Sequence, residues 1–132
     1  MTTATAKLTN QRISTKASLE IASHLRGKNT EDAKVFLEAV LKKEKAVPFK
    51  RFTDGVGHKK GMAAGRYPAK ASQSFLTLIK SVEANAENQD LFGPFTIEEI
   101  KANKGPKQRR YSRNRGRTHK NTHLEITVKE TE

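Results

Sequence analysis

Residues 101–120, KANKGPKQRRYSRNRGRTHK, hold nine basic side chains and no aspartate or glutamate: Lys101, Lys104, Lys107, Arg109, Arg110, Arg113, Arg115, Arg117 and Lys120. The whole chain carries +12, so everything outside this tract contributes only +3. Like charges with almost nothing apolar between them repel one another, and an anionic partner is needed to hold such a segment compact. Nucleic-acid phosphate fits these residue types best. The arginines offer planar forks that grip phosphate through two hydrogen bonds and stack on bases, which a lysine ammonium does not. A nuclear-import tract uses the same residue types and stands as a second role.

A second basic stretch lies upstream. Residues 46–67 read as a long basic loop with glycines at 55, 57, 61 and 65. Here Lys50, Arg51, Lys59, Lys60 and Arg66, with His58, face one acid, Asp54, and Phe49, Phe52 and Tyr67 are interleaved. Basic groups, rings and pliable backbone suit RNA, whose unpaired bases stack while its phosphates meet the charges. For Phe49 and Phe52 the favoured reading is plainer, that they anchor the loop on the core. The glycine spacing matches neither the dinucleotide fingerprint nor Walker A, and no apolar strand precedes it, so nucleotide binding is rejected.

Catalytic constellations are missing. Of the neighbouring acids, Glu98 and Glu99 would face opposite sides of a strand, and Glu31 and Asp32 are explained by a helix dipole, so neither pair makes a general acid and base. There is no cysteine, and of His24, His58, His119 and His123 only the last two lie close in sequence. No metal site and no cofactor are expected. The chain does not read as an enzyme.

The elements that must carry the basic segments come next. The opening MTTATAKLTNQR has no apolar centre, does not resemble a secretory signal, and reads as a short flexible lead, with Leu8 and Ile13 bracketing at most a short strand. Ser14 caps a helix over residues 15–26 with the stripe Ala17, Ile21, Ala22 and Leu25, and Gly27 ends it. Asn29 or Thr30 caps a second helix with Ala33, Phe36, Leu37, Val40 and Leu41 on one face. Pro68 begins a third, reaching Asn88, with Ala71, Phe75, Leu78, Ile79, Val82 and Ala86 inward. Phe95 and Ile97 alternate as a strand does, and Ile100 and Ala102 resume on a shifted register that marks a bulge. Leu124, Ile126 and Val128 define a last, half-buried strand. Two strands joined only by the basic tract imply a β-hairpin reaching roughly 40 Å at about 3.3 Å per residue, either preformed or a disordered loop that folds on binding. At 132 residues the chain fits one α+β domain spanning 1–132. No apolar run approaches the length of a membrane-spanning helix, and the basic tract lacks an inserting apolar face.

The stretches AVPFKRFTDGVGHKKG, GRYPAKAS, SVEANAENQ, IKANKGPKQRRY, NRGRT and THLEI, in this order, resemble the large-subunit ribosomal protein twenty-two family, called protein seventeen in eukaryotes. The stretch from VPFKRF to GVGH is similar to the archaeal and eukaryotic branch. This resemblance implies three helices packed on a small three-stranded antiparallel sheet, with the long basic β-hairpin at 101–120 running along the wall of the polypeptide exit tunnel. It implies large-subunit ribosomal RNA, neighbouring ribosomal proteins and the nascent polypeptide as partners, with no membrane and no homo-oligomer. It also implies a cytoplasmic ribosomal location, preceded by nucleolar assembly in a eukaryote. By position it makes the basic residues of the tract, together with Arg51, His58, Lys59, Lys60 and Arg66, RNA contacts. Three departures stand out: a short segment before Leu8, an abbreviated loop before Arg66, and fewer residues than usual between Arg117 and His123, which implies a truncated or asymmetric hairpin. Two rivals are carried alongside: a DNA-binding or chromatin protein using the ribbon in a groove, and an RNA-processing nuclease using Glu98 and Glu99.

Overall fold

The computed structural model describes residues 3–131. In chain order it contains β1 (Thr3–Gln11), α1 (Thr15–Leu25), α2 (Thr30–Leu41), β2 (Val47–Pro48), β3 (His58–Lys59), β4 (Met62–Arg66), α3 (Ala69–Asn88), β5 (Phe95–Lys104), β6 (Gln108–Arg109), β7 (Thr118–His119) and β8 (Thr122–Glu130). A 3-10 turn, Ser112–Asn114, lies between β6 and β7. The main sheet is antiparallel in the order β1-β8-β5, so the last strand is its centre. The fold is α+β, three helices over a three-stranded sheet.

One face of that sheet is apolar because each strand alternates. Ala4 and Ala6 of β1, Leu124, Ile126 and Val128 of β8, and Phe95, Ile97, Ile100 and Ala102 of β5 are buried beneath the helices. α3 lies on β1 and β8, α1 on β5, and α2 against α3. Phe75, Leu78, Ile79, Val82 and Ala86 of α3 are fully buried, as its periodicity predicts. The opposite sheet face is polar, with Lys7 3.5 Å from Glu125 and Lys101 3.1 Å from Glu99.

β5 keeps its apolar side inward through a bulge between Ile97 and Glu99, where the register against β8 shifts. An inserted residue resets the two-residue alternation, so Ile100 returns to the face of Ile97. The strand does not leave the sheet there; it stays paired to Lys104. The bulge also leaves Glu98 and Glu99 both exposed, where strict alternation would have put them on opposite faces.

Two expectations are corrected. The opening segment is not a flexible lead: from Thr3 it is an edge strand paired with β8 from Thr3↔Lys129 to Gln11↔Thr122. Its fully buried residues are alanines, with Leu8 partly buried beyond them; such small side chains hardly register as an apolar pattern, and the β-branched threonines beside them favour the extended chain. Residues 46–67 are not one long loop, since β2, β4 and β3 make a second small antiparallel sheet. These strands have two to five residues, too few for a period to show in sequence. Phe49 is buried there, while Phe52 is half-buried.

Ser14 caps α1 by accepting from the Ala17 N–H at 3.4 Å, and Gly27 takes φ +81° as the helix stops. Asn29 precedes α2 without a side-chain cap; its Oδ1 accepts from the Thr96 hydroxyl instead. Between these helices His24 sits 4.3 Å from the Phe36 ring, with its Nε2 2.9 Å from Lys28 Nζ. An ammonium only donates, so this contact requires an unprotonated Nε2. Burial, and then the charges of Lys28 and Lys50, hold the His24 pKa below its usual 6.5. The unfolded chain therefore binds a proton that the folded chain resists, and stability is lost as pH falls below about 6.5. Melting temperature followed from pH 7 to pH 5 is expected to fall less in His24→Gln than in the parent; parallel profiles would count against this.

Candidate nucleic-acid interface

The ribbon beyond the main sheet is built in two steps. β5 and β8 pair as far as Lys104↔Thr122, the Gly105 N–H donates to the Asn121 carbonyl at 2.8 Å, and pairing resumes at Gln108↔His119 and Arg109↔Thr118. Three residues (105–107) on the first arm face two (120 and 121) on the other, so the hairpin is asymmetric. The Arg110 N–H donates to the Arg117 carbonyl, and the turn closes the tip with Ser112 at φ 60°. Because residues 101–104 belong to the sheet, the arm before the tip extends roughly 20 Å at about 3.3 Å per residue, half the sequence-based reach.

The break in the ladder is held by Asn121, which is buried. Its Nδ2 donates to Asn10 Oδ1 at 3.2 Å and to the Pro106 carbonyl at 3.0 Å. A Cβ on residue 105 would come within 2.8 Å of the Asn121 side chain, so this crossing requires glycine. Next to it the buried Thr122 hydroxyl donates to the Ile13 carbonyl at 2.9 Å and pairs with the Thr15 hydroxyl. Farther out, Arg12 donates to Gln108 Oε1 at 2.7 Å. The hairpin base is thereby tied to the β1–α1 connection.

The loop is also positioned by α1. Glu20, 3 % exposed, accepts the backbone N–H of Lys50 at 2.9 Å on Oε2, and those of Arg51 and Phe52 at 2.9 and 3.1 Å on Oε1. Arg51 projects its guanidinium over the Phe52 ring at 5.2 Å, and Lys16 reaches the same ring at 5.8 Å. Arg66 donates to the Gly55 carbonyl and lies 5.9 Å from the Phe49 ring.

Two basic segments some fifty residues apart in sequence thus meet around the start of α1. Lys120 of the hairpin, Lys16 of α1, and Arg51 and Arg66 of the loop line one cleft of about 410 Å³, together with a single acid, Asp54. Lys104, Lys107, Lys120 and His119 line a neighbouring one of about 420 Å³ with Phe52. Some desolvation, followed by Arg110 and Arg12, lowers the pKa of His119. At the other end of β5 the net charge reverses, where Glu31, Asp32, Glu83 and Glu87 line a cleft with Phe95 and with Lys34, which is paired to Glu83 at 2.8 Å. The molecule is polarised along its sheet, a basic end that can hold a polyanion and an acidic end that would repel one.

The candidate residues from sequence fall into separate groups. Arg109, Arg110, Arg113, Arg115 and Arg117 are exposed at or near the hairpin tip, and Lys104, Lys107 and Lys120 are exposed at its base. Lys101 lies apart, on the polar sheet face beside Glu99. His58, Lys59 and Lys60 are carried on β3 and its turn, with Lys59 half-buried and its Nζ 5.8 Å from the Tyr67 ring. His123 accepts the Asn10 N–H on Nδ1 and is not free to face phosphate through that nitrogen. Sequence reasoning missed Arg12, Lys16 and Glu20. Glu20 alone left a signal, an acid three residues after Ala17 on the apolar stripe of α1; the other two join the site only through tertiary closure.

The chain matches the family model described as "Ribosomal protein L22p/L17e" over residues 6–129. It is 41 % identical over 133 residues to the large ribosomal subunit protein uL22 of Cenarchaeum symbiosum, with 95 % of this chain and 88 % of the relative covered. Against the uL22 of Ignicoccus hospitalis identity is 40 %, covering 98 % and 89 %, and against that of Haloarcula marismortui 43 %, covering 88 % and 78 %. Matching motifs, a family model over nearly the whole of this chain and relatives covered over more than three quarters of their length agree: this chain belongs to the ribosomal protein L22p/L17e family.

Proposed function

We propose that the chain, acting as one domain over residues 1–132, binds large-subunit ribosomal RNA, aids its assembly, and lends its hairpin to the wall of the polypeptide exit tunnel. Membership of this ribosomal family makes it a structural constituent of the large subunit and not an enzyme. The observation that carries the RNA reading is the convergence of hairpin base and loop on one predominantly basic end, away from the cleft lined by Glu31, Asp32, Glu83 and Glu87. Arg109, Arg110, Arg113, Arg115 and Arg117 grip phosphate, and Lys104, Lys107 and Lys120 neutralise the backbone where the ribbon leaves the sheet. Arg51, His58, Lys59, Lys60 and Arg66 add a second set of contacts, and Lys101 a more distant one. Tyr111, 87 % exposed among the arginines, is a stacking surface for an unpaired base. At the tip the ribbon also comes within reach of nascent polypeptide. The acidic end is left for neighbouring ribosomal proteins, within ribosomes of the cytoplasm.

Sedimentation tests this directly. The tagged chain is expected to remain with the large subunit through a high-salt gradient and to be released by ribonuclease. Stripping into the light fractions by salt alone would overturn the reading.

A further inference from the structure

We infer that Glu20 is the positioning residue of the basic loop: its buried carboxylate sets the backbone of residues 50–52 and thereby where Arg51 meets RNA phosphate. The inference rests on the RNA reading above. A carboxylate is costly to bury unless hydrogen bonds replace its lost water. Three consecutive N–H groups do so here, at 2.9, 2.9 and 3.1 Å. Successive N–H groups converging on an anion form the concavity by which many proteins hold phosphate. In this molecule the anion is supplied internally, by α1.

The manner of neutralisation matters for function. Among the described residues no ion pair includes Glu20. Its charge is met by backbone, so the exposed side chains of Lys50 and Arg51 are not consumed in holding it. A loop already set in place loses less conformational entropy on binding than one that must be ordered by its ligand. Glu20 also fixes Phe52, over whose ring Arg51 and Lys16 both lie, at the cleft shared with Lys120. One buried acid therefore registers the loop against the hairpin base.

Electrostatics and positioning predict opposite signs for Glu20→Gln. Removing a negative charge beside a phosphate site should tighten RNA binding if charge alone counts. Under the positioning role binding weakens: the amide keeps one acceptor oxygen for Arg51 and Phe52 but turns an N–H donor toward that of Lys50.

The test uses the full chain and protein-free large-subunit ribosomal RNA, with affinity measured at several salt concentrations for the parent, Glu20→Gln, Arg51→Ala and the double variant. Glu20→Gln is expected to weaken binding about tenfold and to lower the salt slope by about one, as loss of one phosphate contact does. Added to Arg51→Ala, it should change affinity by less than about twofold, because it acts through that side chain. Val82→Ala, which destabilises the core far from the loop, should keep parental affinity at a temperature where every variant is folded. Equal or tighter binding by Glu20→Gln, losses that multiply in the double variant, or an equal loss in Val82→Ala would each overturn the inference. If the parent chain itself fails to bind the RNA, the RNA reading falls, and this inference with it.

Discussion

Replacing Arg109, Arg110 and Arg113 together by glutamine is expected to lower affinity for large-subunit ribosomal RNA about a hundredfold, while the melting temperature moves by less than about 3 °C. All three side chains are exposed, and none takes part in an ion pair among the described residues. Exposed substitutions of this kind change stability by about 0.5 kcal/mol or less each. Their mutual repulsion in the free protein even offsets part of that loss. On the proposed RNA contacts each guanidinium would neutralise phosphate and release counterions, so affinity and its salt slope should fall together in the variant, the slope by about two to three. Binding isotherms at several salt concentrations, alongside thermal melts of the free chain, measure both. A large drop in melting temperature with RNA affinity unchanged would refute the assignment of these arginines.

Phe75→Ala should do the reverse. Phe75 is fully buried on α3, the helix that covers β1 and β8 and supports α2. Truncating such a ring removes apolar burial and leaves a cavity the surrounding strands and helices fill only in part, at about 3–5 kcal/mol. That is a large share of the 5–15 kcal/mol typical of a domain, and the melting temperature should fall by roughly 10 °C or more. At a temperature where the variant is folded its RNA affinity should stay close to that of the parent, because the ring lies in the core and no candidate contact depends on it directly. Denaturant midpoints read the first effect and binding isotherms the second; a midpoint equal to that of the parent would mean that α3 is not the packing centre. The two substitutions together separate a binding arm from the core that carries it.

The parts of the fold that were legible are those in which one period runs long enough to register. α3, with 20 residues, repeats its apolar face over five turns, and β8 alternates cleanly over Leu124, Ile126 and Val128. The bulge at Glu98 was readable because the apolar residues on either side of it are large. β1 was missed because its buried positions are alanines and its edge position asks little of them. The sheet of β2, β4 and β3 was missed because its strands are too short to repeat anything. For the candidate site, the basic tract and loop announced themselves by residue type alone. Their meeting at α1 did not, and neither did the set of backbone groups that neutralises Glu20.

By itself the sequence determined the basic character of tract and loop, the α+β class and the family, because charge, hydrophobic period and ordered motifs are properties of the chain read locally. Tertiary structure alone decided that β8 is the central strand, that the hairpin leaves the sheet only after Lys104, and that loop and hairpin share one predominantly basic end, with Glu31, Asp32, Glu83 and Glu87 brought together at another cleft. Those outcomes depend on contacts between residues far apart in sequence: Arg12 with Gln108, Glu20 with the backbone of residues 50–52, Asn10 with Asn121. Such contacts form only when the burial of one apolar sheet face closes the chain upon itself, and no local pattern encodes the distances that result.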